Sequence, residues 1–322
     1  MREALFIKKN KDRWLKTQRQ PPAGPDEMAA DFTQLLDDLA YAKTFYPSGK
    51  VTSFINTQAQ KIYLDVYRNR KEESNRIITF WKYDLPLTIR KHHRVVFFSF
   101  IIFLIFFAIG FFASAKDDGM ARSIFGDDYV DHTLENIEKG NPFGIYEHGN
   151  PVLSWLGLMI HNIRVSLLMF VSGIFCGIPS LYMEGHNAVM LGAFNQFFAS
   201  RGFGIDFWLV VFVHGTLEIT ALIISAAAGF VMGKSFLFPG TIKRLQSFKA
   251  GAKDGVKMMI GLMPVFGLAA FFEGLITRLY NDISLLTTVI VTLSVLFVIW
   301  YFVIYPIRLG KRLPVQLIEE EV

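Results

Sequence analysis

Four ionisable side chains lie inside segments that are otherwise long runs of apolar residues. His214 and Glu218 are four residues apart, which places them on one face of a helix, and Glu273 and Arg164 lie in two other apolar segments. A charged side chain costs about 2.5–3.5 kcal/mol to place in a membrane interior. Each of the four therefore needs a partner or a function. Asn162, two residues before Arg164, adds an amide that can form hydrogen bonds.

These side chains are predicted to lie at similar depths in a membrane. Counted at 1.5 Å per residue from the outer end of each predicted span, His214 lies about 10 Å deep, Glu218 about 16 Å and Glu273 about 7 Å. Residues at these depths can meet in the outer half of one helix bundle if their helices are neighbours. We therefore predict a functional polar cluster in the membrane, formed by Asn162, Arg164, His214, Glu218 and Glu273.

Three interpretations of this cluster are open. In the first, it only holds helices together, with Arg164 paired to Glu273 or Glu218. In the second, Glu218 titrates beside His214, and the cluster handles ions or protons. The third is a catalytic metal site, since His-x-x-x-Glu offers two ligands on one turn. No His-Glu-x-x-His motif and no third strong ligand at a fixed spacing supports a metal, so no metal, cofactor or catalytic residue is predicted.

The composition indicates an integral membrane protein. Of the 322 residues, 52% are hydrophobic and 19% charged, whereas soluble domains carry about 25% charge. The net charge of +5 comes from Lys and Arg residues that flank apolar runs, which argues against a nucleic-acid partner. No phosphate loop, dinucleotide fingerprint or serine nucleophile motif marks a soluble enzyme. The one cysteine, Cys176, excludes an intramolecular disulfide and is expected to be a small buried apolar residue.

Six membrane spans are predicted, so the fold class is an all-α polytopic membrane helical bundle. They cover residues 95–115, 160–183, 187–200, 207–233, 258–278 and 285–307. The first is free of charge and long enough to cross about 30 Å of hydrocarbon. The third, at about fourteen residues, is short for a full crossing, and a tilted or re-entrant element is the alternative. Alternation from the basic N-terminal region places both termini in the cytoplasm, as the positive-inside rule requires.

The chain is expected to have three parts. They are cytoplasmic amphipathic helices over residues 1–94, a membrane domain over 95–310 and a cytoplasmic tail over 311–322. Within the first part, Pro47-Ser48-Gly49 separates two apolar helical stripes, which predicts a helical hairpin. Aromatic residues over 77–89, next to a basic cluster, mark the cytoplasmic interface. The acidic segment 116–155 belongs outside and is predicted to contain a surface helix over 127–139.

Small residues and prolines predict where helices pack closely and where they bend. Helix-packing faces are predicted at two Gly-x-x-x-Gly motifs, Gly173 with Gly177 in the second span and Gly229 with Gly233 in the fourth. Pro179 is expected to interrupt the second span, and Pro264 the fifth. Phe238-Pro239-Gly240 is expected to be the turn that ends the fourth span.

Several sequence runs, taken in their order along the chain, carry a family resemblance. They are residues 35–47, ending in Phe45-Tyr46-Pro47, then 162–182, 187–194, His214-Gly215-Thr216-Leu217-Glu218, Pro239-Gly240 and Glu273-Gly274. Together they resemble the stage II sporulation protein M family. The resemblance implies a multi-pass protein of the bacterial cytoplasmic membrane. In spore formers, one family member acts with a cell-wall hydrolase and its partner during engulfment, and no enzymatic activity is implied for His214 or Glu218.

The leading hypothesis is a non-catalytic subunit or scaffold in cell-envelope remodelling. Its expected partners are the lipid bilayer, envelope-remodelling proteins and a second copy of the chain, with a dimer favoured and nucleic acid excluded. The alternative is an ion- or proton-coupled channel or transporter that uses the polar cluster, and the third hypothesis is an intramembrane metalloprotease. A transporter needs a water-accessible route to Glu218, whereas a scaffold packs the polar side chains against each other.

Overall fold

The computed structural model describes residues 3–19, 24–68, 76–115, 118–144, 150–277 and 284–312. All regular structure in these residues is helical, which confirms the predicted all-α class. The chain forms two compact units, Met1–Arg76 and Ile77–Val322. The first unit is therefore shorter than the 1–94 region defined from sequence, because the aromatic segment after residue 76 folds with the membrane helices.

The first unit contains α1 (Glu3–Arg19), α2 (Pro25–Phe45) and α3 (Lys50–Arg68). α2 and α3 are the predicted hairpin, and α2 has Pro25 in its first turn, where the missing N–H costs no hydrogen bond. α1 packs into the same core, because Phe6 and Trp14 are buried with residues of both other helices. Trp14 Nε1 donates a hydrogen bond of 2.8 Å to Asp38, which also forms an ion pair with Arg13. The unit thus has its own hydrophobic core and its own side-chain hydrogen bond and ion pair.

The second unit contains all the long apolar helices and the shorter helical elements between them. In chain order they are α4 (Arg76–Thr79), a π-turn (Phe80–Asp84), α5 (Leu85–Lys91), α6 (His93–Ser114), α7 (Asp118–Phe125), α8 (Asp127–Glu138), α9 (Pro151–Val171), α10 (Ile178–Ala199), α11 (Gly204–Leu237), α12 (Arg244–Phe271), a π-turn (Phe272–Ile276), and α13 (Ser284–Val298) running through a π-turn (Ile299–Ile304) into α14 (Tyr305–Arg312). Five of them are long and apolar enough to cross a membrane, namely α6, α9, α11, α12 and the α13–α14 rod. The protein is a polytopic membrane bundle.

α10 is the sixth long helix and corresponds to the short third span predicted from sequence. It has 22 residues rather than about fourteen. Ser180 at its start lies against Gly229 of α11, and the ring of Phe198 near its end lies 5.8 Å from that of Phe207. α10 therefore runs antiparallel to α11 from residue 229 to residue 207, which is about 33 Å at 1.5 Å per residue. Because of its polar residues, α10 is less apolar than the other five helices. It is nevertheless about as long as the shortest of them.

The junction between α9 and α10 differs from the predicted second span. α9 begins at Pro151, nine residues before the predicted start, and ends in a 3₁₀ turn at Ser172–Ile174. The chain then reverses through Cys176 and Gly177, which have φ values of 59° and 77°. Pro179 lies in the first turn of α10 and interrupts no span, which corrects the sequence prediction. Cys176 is correspondingly half-buried in a turn instead of buried inside a helix.

The exit of the fourth span is confirmed, because α11 ends at Leu237, just before Gly240 with φ 66°. Pro264 lies inside α12, which continues from Arg244 to Phe271, so the predicted interruption of the fifth span is wrong. The segment α4–α5 packs along α12, since Trp81 Nε1 donates to the carbonyl of Gly261 and His92 Nε2 lies 2.8 Å from an Asp254 oxygen. This aromatic segment is thus part of the bundle.

Two short helices cover one end of the bundle, which we call the outer end. α8 confirms the predicted surface helix, and α7 precedes it. Val130 of α8 and Ala121 of α7 are buried against Phe198, Phe207 and Val211 of α10 and α11. Gly126 between the two helices has φ 86°, a left-handed conformation that suits glycine. The acidic segment thus folds back onto the helix ends.

Candidate functional site

Three helices supply the polar side chains of the site. α11 presents His214 and Glu218 on one face, as their four-residue spacing predicts. Glu273 lies in the π-turn that follows α12, where one extra residue per turn rotates the following side chains. α9 contributes Asn162. Such π-turns occur often at functional sites, and nothing in the local sequence indicated this one.

One ligand-type atom each from His214, Glu218 and Glu273 lies within 4.8 Å of the others. His214 is buried, whereas Glu218 and Glu273 keep part of their side chains exposed. In the part of the chain that the structure describes, no lysine or arginine forms an ion pair with either carboxylate. Arg278, close to this site in sequence, lies outside the described residues. Two acidic groups and an imidazole therefore converge without a described counter-charge.

His214 is oriented by a buried hydroxyl. Its Nδ1 lies 3.2 Å from Oγ1 of Thr277, which itself donates to the carbonyl of Phe272 at 3.2 Å. Since a hydroxyl carries one proton, both contacts are satisfied when Nδ1–H donates to Thr277 and Thr277 donates to Phe272. That tautomer leaves the lone pair of His214 on Nε2.

Asn162 lies beside Glu218, close enough to act on its carboxylate. The side chain is only 9% exposed, and its amide lies against that carboxylate in a contact that lacks full hydrogen-bond geometry. The amide is therefore placed to act on the cluster as well as to pack between helices.

Arg164, the fifth residue of the predicted cluster, is not part of it. The side chain is exposed and forms no ion pair among the described residues, so the expected pairing with Glu218 or Glu273 is wrong. α9 begins earlier than predicted, which places Arg164 13 residues, about 20 Å, from its start. Two residues along a helix turn a side chain through about 200°, so Arg164 points away from the face that carries Asn162.

The depth of Arg164 in the bundle follows from the alignment of α9 with α11. Gly173 lies against Gly229, and Asn162 lies beside Glu218, so α9 and α11 run parallel with an offset of 56 residues in both places. Arg164 is therefore level with Thr220, at the middle of Gly204–Leu237. An exposed arginine at mid-depth is costly in lipid.

The outer helix α8 reaches the cluster through Tyr129. Burial, with the negative charge of Glu273 as the second cause, raises the pKa of Tyr129 to about 12. The phenol therefore stays neutral at physiological pH and keeps its proton available as a donor. Its ring lies 6.1 Å from that of Phe194, which ties α8 to α10 at this point. From sequence, Tyr129 is only a member of the predicted surface helix over residues 127–139.

A second buried carboxyl group lies deeper in the bundle. Glu184 is fully buried, and its Oε1 lies 2.5 Å from Ser99 Oγ, which is also 2.8 Å from the carbonyl oxygen of Ile223. One hydroxyl proton cannot serve two acceptors, but a protonated Glu184 can donate to Ser99 while Ser99 donates to Ile223. Oε2 of Glu184 has no hydrogen-bond partner. The signal in the sequence was a lone carboxylate inside an apolar helix, which by elimination made Glu184 no more than a candidate metal ligand.

The four predicted packing glycines meet at one crossing, although not as two matched helix faces. A Cβ on Gly173 would lie 2.3 Å from the carbonyl oxygen of Gly229, and one on Gly233 would lie 2.7 Å from the backbone of Cys176. Gly177 is the residue before α10 and contacts Phe230, so it does not share a helix with Gly173. The end of α9 and the start of α10 thus both pack against the same side of α11.

Comparison with known families agrees with this architecture. A family described as stage II sporulation protein M matches residues 99–278, which is more than half of the chain and contains α9–α11 and all four clustered residues. A second family, described as a domain of unknown function (DUF8413), matches residues 4–68, within the first compact unit. No curated protein and no solved structure matches the chain. The protein belongs to the stage II sporulation protein M family of membrane proteins.

Proposed function

We propose that this protein is an ion- or proton-coupled transporter or channel of the bacterial cytoplasmic membrane, with both termini in the cytoplasm. The observation that carries the proposal is the convergence of Glu218 and Glu273 with His214, without a described lysine or arginine. Two carboxylates in a medium of low dielectric constant repel each other and favour a bound cation or proton.

Partial exposure of the two carboxylates supports the same function. Glu218 and Glu273 are less completely buried than His214, as is expected of groups that an ion must reach. Ionisable residues at this depth face either the bundle interior or a water-filled crevice. The helix-pinning interpretation also needed Arg164 as the counter-charge, and Arg164 points elsewhere. Binding and release of a cation needs no nucleophile, so the protein is proposed not to be an enzyme.

The proposal is tested by flux through reconstituted protein. Liposomes that contain the full chain and an internal pH-sensitive dye are given cation gradients in turn, and proton movement is followed. We expect flux above that of protein-free liposomes for the wild type, and loss of that flux for Glu218→Gln and Glu273→Gln. Asp206→Asn, which neutralises an exposed carboxylate at the outer end of α11, is the matched control and should keep wild-type flux. Wild-type flux equal to that of empty liposomes would overturn the proposal.

The second candidate function is a scaffold in cell-envelope remodelling. Membership of the stage II sporulation protein M family supports it, and so does the separate helical unit formed by α1–α3, which offers a docking surface for envelope proteins. A scaffold predicts that Glu218→Gln changes neither flux nor association with partner proteins. The flux experiment therefore separates the two candidates.

We also propose that the protein works as a homo-oligomer, with a dimer as the simplest form. Arg164 is exposed at mid-depth on α9, where contact with lipid costs about 2.5–3.5 kcal/mol on insertion scales. A second copy can cover this face and provide polar groups. The same residue of the second copy carries the same charge, so the contact must place Arg164 against a different helix rather than against its own symmetry mate.

Replacing Arg164 by leucine is expected to weaken this association. The dimer fraction is measured by single-molecule subunit counting in liposomes as the protein is diluted in lipid. We expect Arg164→Leu to shift the midpoint to higher protein density by about tenfold, which corresponds to about 1.4 kcal/mol. Leu293→Ala, at an exposed position on α13, is the control and should leave the midpoint unchanged. If the Arg164 face meets lipid, the leucine variant will be more stable with an unaltered dimer fraction.

A further inference from the structure

We infer that the outer cluster is a binding site for a divalent transition-metal ion, with His214, Glu218 and Glu273 as ligands and Asn162 as a fourth. This inference rests on the proposed cation-handling function and names the class of cation. It goes beyond the sequence analysis, which predicted no metal.

Charge favours a divalent ion over a monovalent one. Glu218 and Glu273 contribute two negative charges when ionised, and His214 in its neutral form contributes none. A divalent cation brings the net charge of the site to zero, whereas a monovalent cation leaves one negative charge in a medium of low dielectric constant. The free-energy cost of burying the site is therefore lowest when the bound cation carries two positive charges.

The types of ligand favour a transition metal over calcium or magnesium. Calcium and magnesium take oxygen ligands, whereas zinc, manganese, iron and cobalt accept one imidazole with carboxylates. At metal–ligand distances of about 2.0–2.2 Å, two ligands on opposite sides of an ion are at most about 4.4 Å apart. The three ligand atoms already lie within 4.8 Å of one another, so small side-chain movements close the site.

The surroundings of His214 match those of a metal-binding histidine. Such histidines donate one ring N–H to a neighbouring oxygen, which fixes the tautomer and leaves the other nitrogen for the metal. Thr277, fully buried, occupies that position at 3.2 Å from Nδ1. Thr277 is therefore a positioning residue.

Asn162 provides a second, independent indication of a ligand. Its amide is buried against the Glu218 carboxylate, in a contact that lacks full hydrogen-bond geometry. Because the oxygen and nitrogen of an amide exchange places on a half-turn about the last side-chain bond, the same side chain can turn its carbonyl oxygen towards a cation. The imperfect contact is explained if the amide can instead offer its oxygen to a metal.

Metal content is the direct test. The full chain is purified in detergent without an affinity tag, stripped with a chelator, dialysed against Zn²⁺ or Mn²⁺, and analysed by elemental mass spectrometry. We expect one ion per chain for the wild type and at least tenfold weaker binding for Glu218→Gln, Glu273→Gln and His214→Gln, since each removes a direct ligand. Glu184→Gln alters a buried carboxyl outside the cluster and should keep the full metal content.

The role of Thr277 is tested with Co²⁺, whose visible spectrum reports ligand geometry. Thr277→Val removes the hydroxyl and keeps the shape of the side chain. We expect about tenfold weaker binding and a shifted Co²⁺ spectrum, as for the loss of a group that orients a ligand. Size-exclusion profiles and melting curves of each variant confirm that the protein is folded.

The outcomes separate this inference from the proposed transport function. If the wild type binds no more metal than Glu273→Gln, the metal site is refuted, and proton flux measured in chelator still tests transport. If the wild type binds one ion per chain but shows no flux, the metal site stands and transport is refuted. If Glu184→Gln loses metal to the same extent as the cluster variants, binding does not depend specifically on His214, Glu218 and Glu273, and the site is refuted.

Discussion

Replacing Gly173 by alanine is expected to prevent the second unit from reaching its native stability. The added Cβ would lie 2.3 Å from the carbonyl oxygen of Gly229 and 2.6 Å from its Cα, which are backbone atoms of α11. No rotamer change relieves a clash between two backbones, so the end of α9 has to move away from α11. We expect a loss of about 3 kcal/mol or more in the free energy of unfolding, at the upper end of the range for overpacked sites.

The matched control lies in α9, the helix that leads into the turn containing Gly173. Gly157 of α9 has no atom within 4 Å of an added Cβ, so Gly157→Ala brings no clash. Alanine is favoured over glycine by up to about 1 kcal/mol inside a helix, so this variant should be equal to or more stable than the wild type. Both variants are compared by thermal unfolding and by fluorescence size-exclusion in the same detergent. Equal melting temperatures for the two would show that α9 and α11 are not in backbone contact at Gly173.

Neutralising the acidic pair is expected to raise stability in the absence of metal. The double variant Glu218→Gln, Glu273→Gln removes two carboxylates that lie together without a described counter-charge. We expect a gain of about 2 kcal/mol in chelator, which corresponds to roughly 4–8 °C in melting temperature for a domain of this size. The gain should shrink at acidic pH, where the wild-type carboxyl groups carry protons. Greater stability with lost binding is the usual trade-off at a functional site.

A loss of stability in the double variant, instead of a gain, would show that the cluster has a structural role. If the double variant melts below the wild type in chelator, the carboxylates are paired with a cation of the chain itself, and the cation-binding proposal loses its basis. Arg278→Gln is then the variant to combine with it, since non-additive effects would reveal the pairing. Glu184→Gln serves as the control in both cases. Glutamine keeps an oxygen that can accept the hydrogen bond from Ser99, so this variant should change the melting temperature little.

Much of the membrane architecture followed from sequence because apolar length and charge placement are local properties. The first span, the exit of the fourth span before Gly240 and the surface helix over residues 127–139 all agree with α6, α11 and α8. The hairpin before residue 69 also agrees, because Pro25 and the Pro47–Gly49 turn have local physical causes. The family resemblance is confirmed by the match over residues 99–278, which contains every quoted motif except residues 35–47; those residues lie in the region that the second family matches.

The errors occurred where backbone conformation depended on distant contacts. Apolar periodicity continues from α9 into α10, so the reversal at Cys176–Gly177 could not be placed from sequence. Cys176 adopts a φ of 59°, which a lone cysteine in an apolar run does not signal. Arg164 lies near the depth of Glu218, but its position two residues after Asn162 turns its side chain to the opposite face of α9, so the expected pairing with the acidic residues is absent.

The sequence by itself determined that Asn162, His214, Glu218 and Glu273 must be removed from water, because the segments that carry them are too apolar to fold in water. It also determined the spacing that puts His214 and Glu218 on one helix face. Only the tertiary structure decided which residues meet, because the order of helices around a bundle depends on close packing at glycines far apart in the chain. The π-turn at Glu273 and the offset of 56 residues between α9 and α11 bring Glu273 and Asn162 to the site and turn Arg164 away from it.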